Sequence, residues 1–249
     1  MQRLMYKLIA TLISMLACFP IFAQDVELSW EKGLAFLPDS FFPKSPSAIS
    51  IDTKFPVVIY LHGCNGINYA HDVPWAREIA KQNFIVVLPD SMVRPNRRPN
   101  CDPQSKKVTN SFPQAHDYRQ EEITYAVEQI EKRGWVDKGN IFLMGFSEGG
   151  VATAHSMHGE FKGLIVLGWT CTTKGQSGGG IFATKDVPVL AIASVDDEWY
   201  KGTTWQGRCI DAAVGHKVTQ VDIPGREHTT FHSMQARAAV IKFLRENIQ

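Results

Sequence analysis

The chain has 249 residues, 44% of them hydrophobic, and a formal net charge of +1. That length suits one α/β domain able to bury a full core. The near-zero charge offers no basic field for nucleic acid or an anionic surface, so neither is expected as a partner.

The first residues read as a targeting segment. Arg3 and Lys7 precede an apolar run from Leu8 to Ala17, and Ile21-Phe22-Ala23 offers small-residue cleavage before Gln24. Residues 1–23 are therefore expected to be a signal peptide, and 24–249 the folded domain. The apolar run is too short for a comfortable membrane span, so no stable membrane insertion is expected after cleavage. Met15-Leu16-Ala17-Cys18 also reads as a lipoprotein signal, although Leu16 fits that pattern poorly. The expected location is periplasmic or secreted. Without Arg3 and Lys7 the 26 basic residues fall to 24, against 25 acidic ones.

Export changes how the cysteines read. Cys18 leaves with the leader, and Cys64, Cys101, Cys171 and Cys209 remain. An even number in an oxidising compartment suggests two disulfides, with three pairings open. No C-x-x-C or His-rich spacing suggests zinc, and no metal is expected.

In chain order, residues 25–51 hold short apolar runs broken by Pro38, Pro43 and Pro46, and read as an edge hairpin or an irregular lead-in. Phe55 to Leu61 is a continuous β-branched run, the pattern of a strand buried on both faces. It ends in His62-Gly63-Cys64-Asn65-Gly66. A helix is expected from Pro74 to Gln82, with Pro in its first turn, then a strand from Phe84 to Leu88. This βαβ unit argues for a parallel sheet. Residues 91–114 form a long polar, proline-rich loop with Arg94, Arg97 and Arg98, a cluster that would suit a substrate carboxylate; a solvated loop is the plainer reading. A helix is expected from Tyr118 to Arg133, with Ile123, Ala126, Val127 and Ile130 on one face. Strands are expected at Ile141–Met144, Leu164–Gly168, Val189–Ala193 and Lys217–Ile223. A Gly-rich loop spans Thr170 to Asp186, and a closing helix spans Phe231 to Asn247. Alternating strands and helices over this length predict a three-layer, mostly parallel, doubly wound α/β sandwich.

The most informative stretch is Gly145-Phe146-Ser147-Glu148-Gly149. An apolar strand precedes it and a helical segment from Gly150 to Met157 follows. Strand, G-x-S-x-G and helix together are the context of a nucleophile elbow. The flanking glycines omit Cβ atoms that would collide where strand and helix approach. The turn lifts the Ser147 hydroxyl clear of the sheet, and the following helix points its first amides at the place where negative charge develops. An Asp after a later strand and a His after the last strand complete the order Ser…Asp…His, at the carboxyl ends where open α/β sheets place their sites.

Ser147 is the candidate nucleophile and His228 the base that activates it and later protonates the leaving group. Asp196 and Asp197 compete as the acid that orients the imidazole. Asp196 is favoured, lying three residues past Ala193, and Asp197 is then a loop acid or helix cap. His232 is a weaker rival to His228, because the last helix should already have begun there. The backbone amides of Cys64 and Glu148 are the candidate oxyanion donors. His155 and His158 read as helix surface, His62 as a support for the oxyanion loop, and His71 and His116 have no nameable partner. The Glu148 side chain is expected to point along the helix start, at the pocket rim. Trp169, Trp199 and Tyr200 lie in strand-end loops and are candidates for lining an apolar pocket; core packing is the alternative.

These residues resemble the dienelactone hydrolase family of α/β-hydrolases, especially exported members. The resemblance covers most of residues 55–245. It rests on the His62-Gly63-Cys64-Asn65-Gly66 loop, Leu88-Pro89-Asp90-Ser91 with Cys101 downstream, Gly145-Phe146-Ser147-Glu148-Gly149-Gly150 and Trp169-Thr170-Cys171. It continues with Asp196-Asp197-Glu198-Trp199 before Cys209, and with Pro224-Gly225-Arg226-Glu227-His228. It implies cofactor-free hydrolysis of an ester or lactone, with Ser147, Asp196 and His228 as the triad. The founding members use a cysteine nucleophile, so Ser147 points away from dienelactones and toward a serine esterase. The resemblance also implies the pairs Cys64–Cys101 and Cys171–Cys209, each closing a loop of nearly forty residues; free buried thiols are the alternative. The expected function is thus an exported serine hydrolase acting on a small ester or lactone through an acyl-enzyme. A peptidase on the same fold, or a non-catalytic binding protein, is the alternative.

Overall fold

The computed structural model describes residues 21–158, 161–172 and 178–249, with side chains from Asp25 onward outside the helix start. Most of the leader, and part of the Thr170–Asp186 loop, lie outside the described residues; Ile21-Phe22-Ala23 fall at the start of the first helix.

The elements in chain order are α1 (Ile21–Glu31), β1 (Leu34–Phe36), β2 (Phe55–Leu61), α2 (Asp72–Ala80) and β3 (Ile85–Leu88). A small hairpin follows, β4 (Cys101–Asp102) and β5 (Lys107–Val108), then α3 (Ala115–Glu131), β6 (Val136–Phe146) and α4 (Glu148–Ala154). The chain ends with β7 (Gly163–Leu167), β8 (Val189–Ser194), α5 (Cys209–Ala212), β9 (Val218–Ile223) and α6 (Met234–Asn247). Among the described residues, seven strands form one sheet in the order β1-β3-β2-β6-β7-β8-β9. Only β1 runs antiparallel, against β3.

The continuous apolar runs are explained by helices on both faces. Val57, Ile59, Leu61, Leu143 and Val166 face one core, with Trp30 of α1 and Ile123, Ala126 and Ile130 of α3. Val58, Tyr60, Met144 and Leu167 face the other, with Trp75 and Ile79 of α2 and Val240 and Leu244 of α6. In the central strands β3, β7 and β8 and most of β2 and β6, residues are buried on whichever side they point, which suppresses the period-2 alternation of a half-exposed sheet. This is the α/β-hydrolase fold expected from the sequence.

The lead-in, expected as an edge hairpin or an irregular segment, also holds a helix. It is a helix and one short edge strand, with Ala35 bridged to Lys44. The 91–114 loop is tied down rather than loose. Cys64 is disulfide-bonded to Cys101, and the Asn100 and Cys64 backbones are hydrogen-bonded at 3.2 Å. Cys171 is bonded to Cys209. The two cross-links close loops with sequence separations of 37 and 38, and in the chain-entropy treatment each contributes up to about 4 kcal/mol. Replacing Cys171 and Cys209 together by Ala should lower stability by about 2–4 kcal/mol. Urea unfolding of the double variant, with and without reductant, checks this: the variant should lose less on reduction than the wild type does.

Candidate active site

The sheet reverses direction of winding between β2 and β6, where the chain steps from β2 outward to β3 and later returns to the other side of β2. A crevice opens at the carboxyl ends of such strands. The loop 62–66 leaves β2 here, and the elbow leaves β6, the central strand.

Ser147 has φ 55° and ψ −114°, a strained conformation for a residue with a Cβ. It is held by its amide donating to Leu167 O at 2.9 Å and its carbonyl accepting from Val151 N at 3.0 Å. The flanking glycines are obligatory. A Cβ on Gly145 would lie 2.1 Å from Gly149 O, and one on Gly149 would lie 2.2 Å from Leu61 O. The elbow therefore packs backbone against backbone, and Ser147 is left 8% exposed at the floor of the crevice.

His228, after β9, brings Nε2 to 2.9 Å from Ser147 Oγ and Nδ1 to 2.7 Å from Asp197 Oδ2. Asp197, not Asp196, is the acid beside His228. Asp197 is 3% exposed and also accepts from Trp199 N at 2.9 Å. Asp196 is half-exposed and paired with Lys201 at 2.9 Å. The reason is the length of β8, which ends at Ser194 and not Ala193. The chain continues alongside β9, with Val195 N on Ile223 O and Asp196 N on Gly225 O, so the inward position falls one residue later. His232 is exposed and lies just before α6, away from this contact.

The His228 loop is anchored by a second buried group. His71 Nδ1 lies 2.8 Å from Asp72 Oδ1, and Thr230 N donates to His71 Nε2 at 3.1 Å. The Nδ1–H tautomer satisfies both contacts. Tyr60 Oη donates to Asp72 Oδ1 at 2.7 Å, and Trp75 Nε1 donates to Thr230 Oγ1 at 3.3 Å. Burial, with the Asp72 charge beside it, holds the Tyr60 phenol well above its ordinary pKa, as a donor.

Behind the oxyanion loop lies an ionic network. Arg119 of α3 is fully buried. Its Nη2 donates to His62 O at 2.9 Å and Gly63 O at 3.1 Å, its Nε to Glu148 at 3.0 Å, and its Nη1 to Glu122 at 3.2 Å. Arg97 also pairs with Glu148, and its Nε donates to Ser91 Oγ at 3.2 Å. Arg94 pairs with Asp25, Glu121 and Glu122. Arg94 and Arg97 are thus buried structural cations and not a carboxylate-binding patch; Arg98 is exposed. Burial works against the Arg119 charge, and Glu122 and Glu148 more than offset it, leaving the pKa above the usual arginine value. His62 donates from Nδ1 to Gly63 O at 2.7 Å and accepts from Ser91 N at 3.0 Å. Burial and the Arg119 charge push its pKa well down, so it stays neutral. This is the supporting role expected of it. Arg119 and Glu122 were missed in the sequence, yet they carry a signal: they extend the Ile123–Ile130 stripe of α3, so two charges sit on a face that must be buried.

Trp169, Trp199 and Tyr200 all line a cavity of about 290 Å³ beside Ser147, with Trp205, Val108 and Val151. Trp199 stacks on His228, with ring centroids 5.0 Å apart. Tyr200 Oη donates to Gly168 O at 2.9 Å; burial, then Asp197, raise its pKa and keep it protonated. Cys64 and Glu148 line the same cavity. His116 lines it too, and burial lowers its pKa. His155 departs from the surface reading. It caps α4 at 2% exposure, stacked on Phe182 at 4.2 Å, with neither ring nitrogen hydrogen-bonded.

Residues 44–199 match the profile of the dienelactone hydrolase family. The chain belongs to the dienelactone hydrolase family. It is a hydrolase of the carboxylesterase kind, and its substrate class is a small-molecule ester. No curated protein matches the sequence. Among solved structures, a phospholipase/carboxylesterase from Dyadobacter fermentans is similar, with TM-score 0.54 and 20% identity over 79% of this chain and 93% of that one. Est1E from Butyrivibrio proteoclasticus, solved with ferulic acid bound, gives TM-score 0.60 and 15% identity over 86% and 94%. TT1662 from Thermus thermophilus gives 0.61 and 16% over 86% and 92%. At these identities the likeness is one of fold. Among the described residues, no helix is long and apolar enough to cross a membrane.

Two predictions follow from the buried charges and imidazoles. Arg119→Met leaves Glu122 and Glu148 short of a cation and the loop carbonyls short of a donor, and should cost about 3–5 kcal/mol in urea unfolding, with Arg119→Lys intermediate. His155 has its pKa lowered from 6.5 to about 4, chiefly by burial and then by His116. Between those values the unfolded chain binds the proton and the folded chain does not, so stability falls as pH drops from 6.5 toward 4, by roughly 3 kcal/mol at most. His155→Phe should flatten that part of the stability–pH curve; an unchanged curve would exclude His155 as its source.

Proposed function

We propose that this family member is an exported serine esterase that works through an acyl-enzyme, with Ser147, His228 and Asp197 as its triad. The observation that carries the reading is the chain of contacts from Asp197 Oδ2 to His228 Nδ1 and from His228 Nε2 to Ser147 Oγ, at 2.7 and 2.9 Å. Those distances lie within hydrogen-bond reach for a nucleophile and its base.

His228 Nε2 takes the Ser147 proton as Oγ attacks the ester carbonyl carbon. Asp197 accepts the Nδ1–H throughout and stabilises the imidazolium. The tetrahedral oxyanion is met by the amides of Cys64 and Glu148, whose loops Arg119 braces. Collapse breaks the bond to the alcohol oxygen, which takes the proton from His228 and departs. Water then attacks the acyl-Ser147 bond, giving up a proton to His228, and the free acid leaves with Ser147 reprotonated. No cofactor enters this cycle.

Export rests on Arg3, Lys7 and the Leu8–Ala17 run ahead of Ala23, and on two cross-links suited to an oxidising compartment. Mass spectrometry of the secreted or periplasmic protein should find a chain beginning at Gln24. A lipid on Cys18 would instead mark a lipoprotein, and an uncleaved cytosolic chain would end the export reading.

On p-nitrophenyl esters, Ser147→Ala should lower kcat by about 10⁴-fold or more, and Asp197→Asn by about 10³-fold or more. Asp196→Asn should stay within about threefold, as a surface change. Full activity in Ser147→Ala would remove the nucleophile. The reverse ranking of the two aspartates would return the acid to Asp196.

A further inference from the structure

Ser147 sits between two cavities whose walls carry different side chains. The first, about 290 Å³, is walled by Trp169, Trp199, Tyr200, Trp205, Val108 and Val151, with Asn100, Asn110, His116 and Glu148 at its edge. Its rings meet edge to face: Trp169 and Trp205 have centroids 6.3 Å apart at 84°, and Trp169 and Tyr200 6.1 Å apart at 73°. The second, about 390 Å³, carries Asn65, Asn68, Lys106, Glu198, Glu227 and Thr229. Ser147, Cys64 and Trp199 line both. His228 lines only the second.

That last fact orients the substrate. The imidazolium must hand its proton to the departing oxygen, so the alcohol leaves on the His228 side and the acyl group lies on the other. We infer that the substrate joins a small aryl acyl group, held among the four aromatic residues, to a hydroxyl-rich alcohol held in the second cavity, beside Asn65, Asn68 and Glu227. This inference rests on the serine-esterase reading above.

Size and chemistry fix each half. The acyl cavity lies at the lower end of the usual range for small-molecule sites, about 300–1,000 Å³, which suits one ring better than a long chain. Aromatic walls add edge-to-face and offset stacking that an alkyl chain cannot return. In the other cavity, amide, hydroxyl and carboxylate groups offer both donors and acceptors, the complement of hydroxyl groups. Lys106, on the β4–β5 hairpin, is paired with Glu198 across this cavity, so its charge is already matched and an anionic alcohol is not selected. A polar site left facing an alkyl alcohol would bury groups without partners, which penalises such esters.

The test is a two-by-two set: 6-O-benzoylglucose, 6-O-octanoylglucose, hexyl benzoate and hexyl octanoate, with p-nitrophenyl acetate as an activated control that carries neither a benzoyl nor a glucose group. Acid release by the mature protein should be greatest for 6-O-benzoylglucose, each exchange lowering kcat/KM by about tenfold or more. Trp205→Ala should erode the benzoyl preference and spare the glucose preference; Glu227→Ala should do the opposite. Equal rates across the set, or an octanoyl or hexyl preference, overturn the inference while Ser147-dependent hydrolysis of p-nitrophenyl acetate keeps the esterase reading. Crossed effects of the two variants overturn the assignment of the cavities. Loss of all ester hydrolysis, with Ser147 unlabelled by a fluorophosphonate, overturns both.

Discussion

One guanidinium holds the catalytic end of this protein together. Arg119 reaches from α3 under the crevice and binds the carbonyls of His62 and Gly63, the Glu148 carboxylate and the Glu122 carboxylate. The first pair belongs to the loop after β2, and Glu148 follows Ser147 as the first residue of α4. Desolvating a cation this deeply costs several kcal/mol, and only well-placed partners on every side offset it. A planar, forked donor meets that demand where an ammonium would not. The two segments that supply the proposed oxyanion amides are therefore spaced by a rigid side chain rather than by the sheet alone. Arg97 extends the bracing to Ser91 after β3, through the same Glu148 carboxylate.

The opposite face is braced by a different chemistry. His71, Asp72, Tyr60 and Thr230 form a hydrogen-bonded group tied to the segment just past His228. Phe146 lies between the two systems, 4.1 Å from the His71 ring and 4.9 Å from that of His228. The imidazole is thus confined by a carboxylate on one edge, by aromatic faces from Phe146 and Trp199, and by a pinned backbone behind it. Such confinement holds His228 Nε2 within reach of Ser147 Oγ, the arrangement the proposed chemistry needs.

Much of this was legible in the sequence because it is local. The apolar runs gave the strands, and G-x-S-x-G gave the elbow, since both depend on neighbours along the chain. Asp197 was misjudged because its placement depends on where β8 stops, and its one-residue continuation is fixed by pairing with β9, which sequence patterning does not report. Arg94 and Arg97 looked solvated because their partners lie on α1, α3 and α4, far along the chain. α1 was hidden by its overlap with the leader and by the prolines that follow. The placement of His62 and His228 at the crevice was readable because each falls just past the end of a strand.

The backbone of Ser147 carries a further consequence. Its positive φ is comfortable for glycine and costly for any residue with a Cβ. A chain in which drift replaced this serine by glycine would fold with less strain than the working enzyme. The proposed nucleophile thus occupies a position that stability alone would assign to glycine. Between two glycines that admit no Cβ, Ser147 stands where the proposed chemistry and ease of folding pull in opposite directions.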